Sequence, residues 1–238
     1  MRLVALLAPA IAAAMLAAAP TALAQQPENE RLRACIAKID TDANGAYEDA
    51  LSWLGQGNRP AARHCAALAL VALGQEEEGA GRLEALANAK DGGTLEARAI
   101  YLAQAGNAWL LAKRPEAAIV ALDNAVKLTP DDAELHKDLA RAHITLKQWD
   151  DAGEDLNTAL RISPSDGGAL RMRAQVLLNM DRLQEAWEDV ELSLRASPQD
   201  VQAVVLRGDI REAMRKKGMR DPTGIDDAED VRPVIVGR

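Results

Sequence analysis

Small and large apolar residues recur between polar stretches along residues 99–200, and the pattern repeats at a constant interval. Pro130, Pro164 and Pro198 mark the repeat, and the segments that end at them, AVKLTP, ALRISP and SLRASP, are alike. The prolines lie 34 residues apart. A period of this length is typical of solenoids, in which each unit packs on its neighbours. The prolines divide this part of the chain into three units, residues 99–132, 133–166 and 167–200.

Within each unit, residue size is repeated at fixed positions. Small residues occupy positions 8, 20 and 27, namely Gly106, Ala140, Ala174, Ala118, Ala152, Ala186, Ala125, Ala159 and Ser193. Larger residues such as Leu102 and Leu122 occupy positions 4 and 24. Small residues let two helices approach closely while larger ones fill the remaining space, and the proline near position 32 ends the second helix. Each unit is therefore predicted to be a pair of helices.

These units resemble the tetratricopeptide repeat, a helix–turn–helix unit of the same length with a small residue at position 8, alanine at 20 and 27, and proline at 32. Trp109 at position 11 and Trp149 at position 17 fit its preference for aromatic residues. Arg173 departs from the usual leucine at position 7, and His143 and Leu177 replace the aromatic residue at 11. The resemblance implies an all-α fold, a right-handed superhelical solenoid of antiparallel helix pairs.

The match fades on both sides of these units. Residues 27–59 and 60–96 are expected to be degenerate units, and residues 201–217 a single amphipathic helix that caps the last apolar face. Residues 25–217 are thus expected to form one solenoid of about eleven helices. The acidic tail, 218–238, contains the apolar run Val234–Val236, which either frays or docks as an extended peptide.

Composition narrows the fold and partner classes. Alanine accounts for 48 of the 238 residues, phenylalanine is absent, and aromatic residues make up 3 %. A β-sandwich or barrel needs more aromatic and β-branched residues, and a chain that is 48 % hydrophobic can bury a core. The formal net charge of −8 repels phosphates, which excludes broad electrostatic binding to nucleic acid.

Residues 1–24 have the pattern of a secretory signal peptide. Arg2 precedes an uncharged stretch, residues 3–19, and Ala22-Leu23-Ala24 is a small-x-small cleavage pattern. Cleavage after Ala24 predicts a periplasmic or secreted protein. An uncleaved anchor is the alternative, against which Pro9 and Pro20 argue. No later stretch approaches spanning length, so no stable membrane span is expected after cleavage.

The two cysteines, Cys35 and Cys65, lie 30 positions apart. In an oxidising compartment they can form a disulfide, which would stabilise the fold by roughly 3–4 kcal/mol. Two free buried thiols are the alternative. Because no histidine lies at ligand spacing, the pair does not make a zinc site.

The segment Asp40–Gly45 (DTDANG) fits the first half of a calcium-binding loop. Position 12 of such a loop, which should supply a bidentate glutamate, is Leu51. An Asp/Asn/Gly turn between paired helices explains the same residues. No metal site is therefore predicted.

Other chemistry is also poorly supported. His136 and His143 lie seven residues apart on one helix face, but they occupy repeat positions 4 and 11, where packing residues belong. His64 adjoins Cys65, and neighbours on a helix point about 100° apart, which suits a base–nucleophile pair poorly. No phosphate loop or convergent catalytic motif is present. The sequence predicts a protein that is not an enzyme and has no cofactor.

The resemblance also implies where a partner would bind. In this family the concave surface is lined by positions 2, 5, 9 and 12 of the first helices. Those positions supply the candidate groove residues Asn107, Lys137, Arg141, Arg171 and Gln175. Amides could bond a peptide backbone and the cations a carboxylate, while Asp209 and Glu212 make one end acidic. A solvated helix face is the alternative.

The resulting functional hypothesis is a non-catalytic scaffold in the cell envelope, which binds a protein or peptide partner in the groove. The alternative is an accessory subunit, with or without calcium, of an envelope enzyme or secretion complex.

Overall fold

The computed structural model of the protein describes residues 28–220, and every regular element in that range is an α-helix. The helices are α1 (Glu28–Ile39), α2 (Ala43–Gly55), α3 (Pro60–Ala72), α4 (Glu76–Asn88), α5 (Leu95–Leu111), α6 (Pro115–Leu128), α7 (Ala133–Thr145), α8 (Trp149–Ile162), α9 (Gly167–Asn179), α10 (Leu183–Ala196) and α11 (Val201–Lys216). This confirms the expectation of an all-α helical repeat, with eleven helices in the described range.

Two sequence predictions fall outside the described residues. They are the signal segment, 1–24, with its cut after Ala24, and the run Val234–Val236 of the tail. Between residues 28 and 220, no helix is long and apolar enough to cross a membrane.

Aspartate side chains begin the first helices of two successive pairs and the single helix that follows them. Asp132, Asp166 and Asp200 each accept a hydrogen bond of 2.9–3.0 Å from a backbone N–H two or three residues further on. These bonds satisfy N–H groups that have no partner within the helix. Since successive aspartates lie one repeat apart, α7, α9 and α11 begin at the same point of the repeat.

The turn between the two helices of a pair also recurs once in every repeat. Lys113, Lys147 and Asp181 have φ angles of 59°, 59° and 63°, in the left-handed region that costs a non-glycine residue roughly 1–2 kcal/mol. Each turn reverses the chain within a few residues and lets the second helix pack back on the first.

Small residues set the spacing between the packed helices. Consecutive helices contact each other throughout, and α5 also contacts α7, as α9 contacts α11. A Cβ added to Gly106 would lie 2.5 Å from Cγ of Leu122 on the next helix. Ala140 and Ala174, at the equivalent position, are fully buried. The small side chains therefore allow the close approach on which the stacked pairs depend.

The N-terminal end of the stack is cross-linked. A disulfide joins Cys35 of α1 to Cys65 of α3, with the two Cα atoms 6.1 Å apart. The bridge lies in an apolar cluster whose largest member, Trp53, is buried. Both cysteines are thus paired rather than free.

Candidate functional site

The first helices of three successive pairs, α5, α7 and α9, and the single helix α11 that follows them form one face of the stack, called here the first-helix face. Side-chain bonds run along it from each first helix to the next. The structure places all the candidate groove residues on this face, Asn107 on α5, Lys137 and Arg141 on α7, and Arg171 and Gln175 on α9.

Asn107, Asp138 and Arg141 form a closed triangle between α5 and α7. Nδ2 of Asn107 donates to Asp138 Oδ2 at 2.9 Å, and Nη1 of Arg141 donates to Asp138 Oδ1 at 2.7 Å. The same Nη1 also donates to Oδ1 of Asn107 at 3.1 Å. The amide and the guanidinium predicted to contact a peptide are therefore already engaged with a carboxylate that was not predicted from sequence.

Lys137 joins α7 to the cap of α9. Its Nζ lies 2.6 Å from Asp166 Oδ2 and 2.6 Å from Glu134 Oε1. Partial burial is the largest single influence on both pKa values and opposes both charges, but the hydrogen bonds and the neighbouring opposite charges together outweigh it. The hydrogen bond from Lys137 and the N–H of Ala169 hold the pKa of Asp166 below its ordinary value, and the pKa of Lys137 is raised.

Arg171 repeats this arrangement one unit later. Its Nε donates to Oδ2 of Asp200, the cap of α11, at 3.0 Å. Gln175 lies half-buried one turn further along α9. The three cations predicted to hold a partner carboxylate are thus each paired within the protein, so the predicted basic middle of the groove is neutralised.

An apolar slot opens on the same face between α5 and α7. It has a volume of about 290 Å³ and contains Ala99, Ile100, Ala103 and Leu135. Leu135 is buried, whereas Ile100 is 52 % exposed although it is a large aliphatic side chain. The slot was not predicted from sequence. The sequence did contain an indication of it, because Ile100 and Ala103 occupy positions 2 and 5 of their unit, two of the positions that line the concave surface in the repeat family.

A larger cavity, of about 360 Å³, lies among α8, α9 and α10. Arg173 is one of the residues that line it, and it donates to Asn157 Oδ1 at 2.8 Å and to both oxygens of Asp189. The guanidinium is therefore engaged with three oxygens of the protein itself.

The histidines are packing residues with polar partners. His136 and His143 of α7 flank Asp155 of α8, with nitrogen–oxygen distances of 3.9 and 3.6 Å. Burial raises the pKa of Asp155 to about 6, although the two histidines oppose this. His64 is buried beside Gln104, and burial lowers its pKa. In residues 28–220, no three His, Cys, Asp or Glu side chains are placed to hold a metal ion.

The segment that resembles half a calcium loop is instead a turn and a helix start. Oδ1 of Asp42 accepts from the backbone N–H of Gly45 at 2.9 Å and so caps α2. The chain is helical from Ala43 onward, through Glu48 and Leu51. The capping turn therefore accounts for the Asp/Asn/Gly pattern of this segment.

Comparisons with known proteins agree with this geometry. Family models described as tetratricopeptide repeat match residues 110–154 and 138–201. No curated protein matches the sequence significantly.

Similar solved structures share the fold. The MamA RS-1 ArsTM double mutant has a TM-score of 0.60 at 17 % identity, covering 73 % of this chain and 94 % of its own. YrrB, described as a TPR protein with an unusual peptide-binding site, has a TM-score of 0.58 at 15 % identity, covering 76 % and 88 %. TTC0263, a thermophilic TPR protein of Thermus thermophilus, has a TM-score of 0.55 at 21 % identity, covering 79 % and 99 %.

Proposed function

Because its repeats over residues 110–201 make this chain a tetratricopeptide-repeat protein, we propose that it is a non-catalytic scaffold that binds a protein or peptide partner on the first-helix face. The apolar slot carries this proposal. A half-exposed Ile100 above a buried Leu135 is suited to receiving an apolar side chain of a partner. A few side chains buried in well-packed pockets supply most of the binding energy at protein interfaces.

The rigidity of the surroundings supports the same function. The Asn107–Asp138–Arg141 triangle borders the slot, and the Lys137–Asp166 pair joins α7 to the next first helix. A surface that is ordered before binding loses little conformational freedom when a partner arrives, which leaves more of the contact energy as affinity.

We also propose that the protein acts in the cell envelope. The uncharged stretch of residues 3–19 and the Ala22-Leu23-Ala24 pattern support export. The Cys35–Cys65 disulfide supports an oxidising compartment. Expression of the full chain in a bacterial host, followed by an intact mass of the product, tests this. The proposal expects a chain that begins at Gln25, and a chain that retains Met1 in the cytoplasm would overturn it.

Selection from a random-peptide display library on the purified protein tests binding to the slot. Enriched peptides are then measured by fluorescence anisotropy against Ile100→Gln and against Val120→Gln. Val120 is a matched control because it is 60 % exposed and lies on α6, a second helix. Both substitutions replace an exposed aliphatic residue by a neutral helix former.

We expect binding to be lost in Ile100→Gln and kept in Val120→Gln. Circular dichroism should show that both variants keep the helical content of the unmodified chain. Equal binding by the two variants, or no enrichment above a blank surface, would overturn the proposed function.

A further inference from the structure

The rim of the apolar slot is strongly acidic. Glu96, Asp132, Glu134 and Asp138 all line it together with the apolar residues. Glu96 is exposed, and hydrogen bonds from Thr94 and from its own backbone N–H lower its pKa. The apolar floor is therefore surrounded by carboxylates on both α5 and α7.

The cations that bond these carboxylates in the described part of the chain are too few to balance them. Arg141 bonds Asp138, whereas Lys137 is shared between Glu134 and the cap Asp166. The four rim carboxylates and Asp166 thus carry five negative charges against two cations, and those two cations bond only three of the five. The slot keeps a net negative charge, and the next cation along the face, Arg171, is paired with Asp200.

This charge distribution selects among peptides. Complementary charge around an apolar pocket speeds encounter and disfavours partners of like charge. A peptide carboxylate would meet a rim whose cations are already bonded, whereas an ammonium or guanidinium group would meet unbalanced carboxylates. The arrangement opposes the expectation from sequence, in which Lys137, Arg141 and Arg171 bind a partner carboxylate.

We propose that the partner segment held in the slot is a basic–apolar peptide, with one large aliphatic or aromatic side chain seated between α5 and α7 and lysine or arginine residues beside it. The proposal rests on the proposed function and adds the chemical class of the partner. The apolar side chain contacts Ile100 and covers Leu135. The neighbouring cations bond Glu96 and the exposed Glu134, whose Lys137 partner is shared with Asp166.

Three fluorescein-labelled peptides of equal length, with blocked ends, provide the probes. One has a leucine flanked by lysines, the second has the same leucine flanked by glutamates, and the third has alanine in place of leucine between lysines. Anisotropy titrations at low and high salt compare their Kd values on the full chain. We expect the lysine–leucine peptide to bind about tenfold or more tightly than either of the others, with weaker binding at high salt.

Substitutions of the rim provide the matched test. Glu96→Gln combined with Glu134→Gln should weaken the lysine–leucine peptide by about three- to tenfold, as expected for two exposed charge contacts. Glu116→Gln combined with Glu188→Gln removes two exposed carboxylates from second helices and should leave its Kd unchanged.

The outcomes separate this inference from the proposed function. In one outcome the two leucine peptides bind alike, or the glutamate peptide binds best, while Ile100→Gln still abolishes binding. The partner is then not a basic peptide, and the proposed function stands. If leucine and alanine peptides bind alike and Ile100→Gln changes nothing, both fail. A loss of binding that is equal in the Glu96/Glu134 and Glu116/Glu188 variants would also overturn the assignment of the rim.

Discussion

The guanidinium of Arg173 donates hydrogen bonds to both carboxylate oxygens of Asp189, from Nε at 2.7 Å and from Nη2 at 2.8 Å. Asp189 is 5 % exposed. The bidentate pair joins α9 to α10 and stands where the repeat family usually has a leucine. A buried charge is tolerated only with such a partner.

We expect Arg173→Leu to lower the free energy of unfolding by about 3–5 kcal/mol, since it leaves the Asp189 carboxylate buried without its partner. The double variant Arg173→Leu/Asp189→Leu should recover most of that loss. Urea denaturation followed by circular dichroism measures both. The exposed pair Arg182–Glu185 is the control, because Arg182→Leu should change stability by less than about 1 kcal/mol. Equal losses in the single and double variants would contradict the importance of the pair.

Asp155 should make stability depend on pH. Its pKa is about 6 in the folded protein, raised by burial, against about 3.9 in an unfolded chain. Between these values the folded state binds more protons, so this group's contribution to stability falls as pH rises to about 6 and remains unfavourable above it.

We therefore expect Asp155→Asn to be more stable than the unmodified chain at neutral pH. The difference should shrink as pH falls through about 6. Unfolding free energies across this range, with Asp151→Asn on the exposed side of α8 as the control, measure the effect. A difference that stays constant over the range would contradict the assignment, as would a carboxyl carbon of Asp155 that titrates near 4 in NMR spectra.

Removal of the Cys35–Cys65 disulfide should destabilise the fold. The bridge closes a loop of 30 residues, which corresponds to roughly 3–4 kcal/mol in the chain-entropy model. Cys35→Ser/Cys65→Ser should therefore unfold at lower urea concentration than the oxidised chain. Adding a reductant provides an internal control. It should lower the urea concentration at which the unmodified chain unfolds, and it should leave that of the double variant unchanged. Identical curves for oxidised and reduced protein would count against a stabilising bridge.

Gly106→Ala should destabilise the protein by about 1–3 kcal/mol, because the added Cβ would lie 2.5 Å from Cγ of Leu122 in a closely packed interface. Gly208→Ala is the matched control within a helix. No heavy atom lies within 4 Å of its added Cβ, and helix propensity favours alanine by roughly 0.5–1 kcal/mol. Thermal unfolding of the two variants should shift in opposite directions. A shift in the same direction would show that the crossing at Gly106 is looser than described.

The helices could largely be predicted from sequence because local signals mark their ends. Asp132, Asp166 and Asp200 cap three of them, and the prolines that recur once per repeat follow the second helix of each unit. The left-handed turn residues could not be found in the same way. Lys113 and Lys147 are not residues that local propensity places at positive φ, so the packing of the two helices imposes it there. Aspartate, as at Asp181, is enriched at positive φ, but it is far commoner in other conformations.

The sequence predicted which helices carry the candidate residues but not the ion pairs that those residues make. The resemblance assigns Lys137 and Arg171 to first helices, and the structure has them on α7 and α9, but their pairing depends on the distance between neighbouring first helices, which only the packed structure sets. A signal did exist. Lys137 precedes Asp166 by 29 residues, and Arg171 precedes Asp200 by the same interval. Such a repeated spacing of cation and aspartate indicates a bond between units rather than a contact for a partner.

The disulfide makes the two ends of the solenoid unequal. Cys35 and Cys65 fasten α1 to α3, whereas α11 is held mainly by apolar packing of Leu206, Ile210 and Met214 beside Trp187. In a stack whose units contact only their neighbours, opening begins at the ends. We therefore expect unravelling to have a direction, from α11 inward, with amide hydrogens of the last helices exchanging with solvent before those near the bridge.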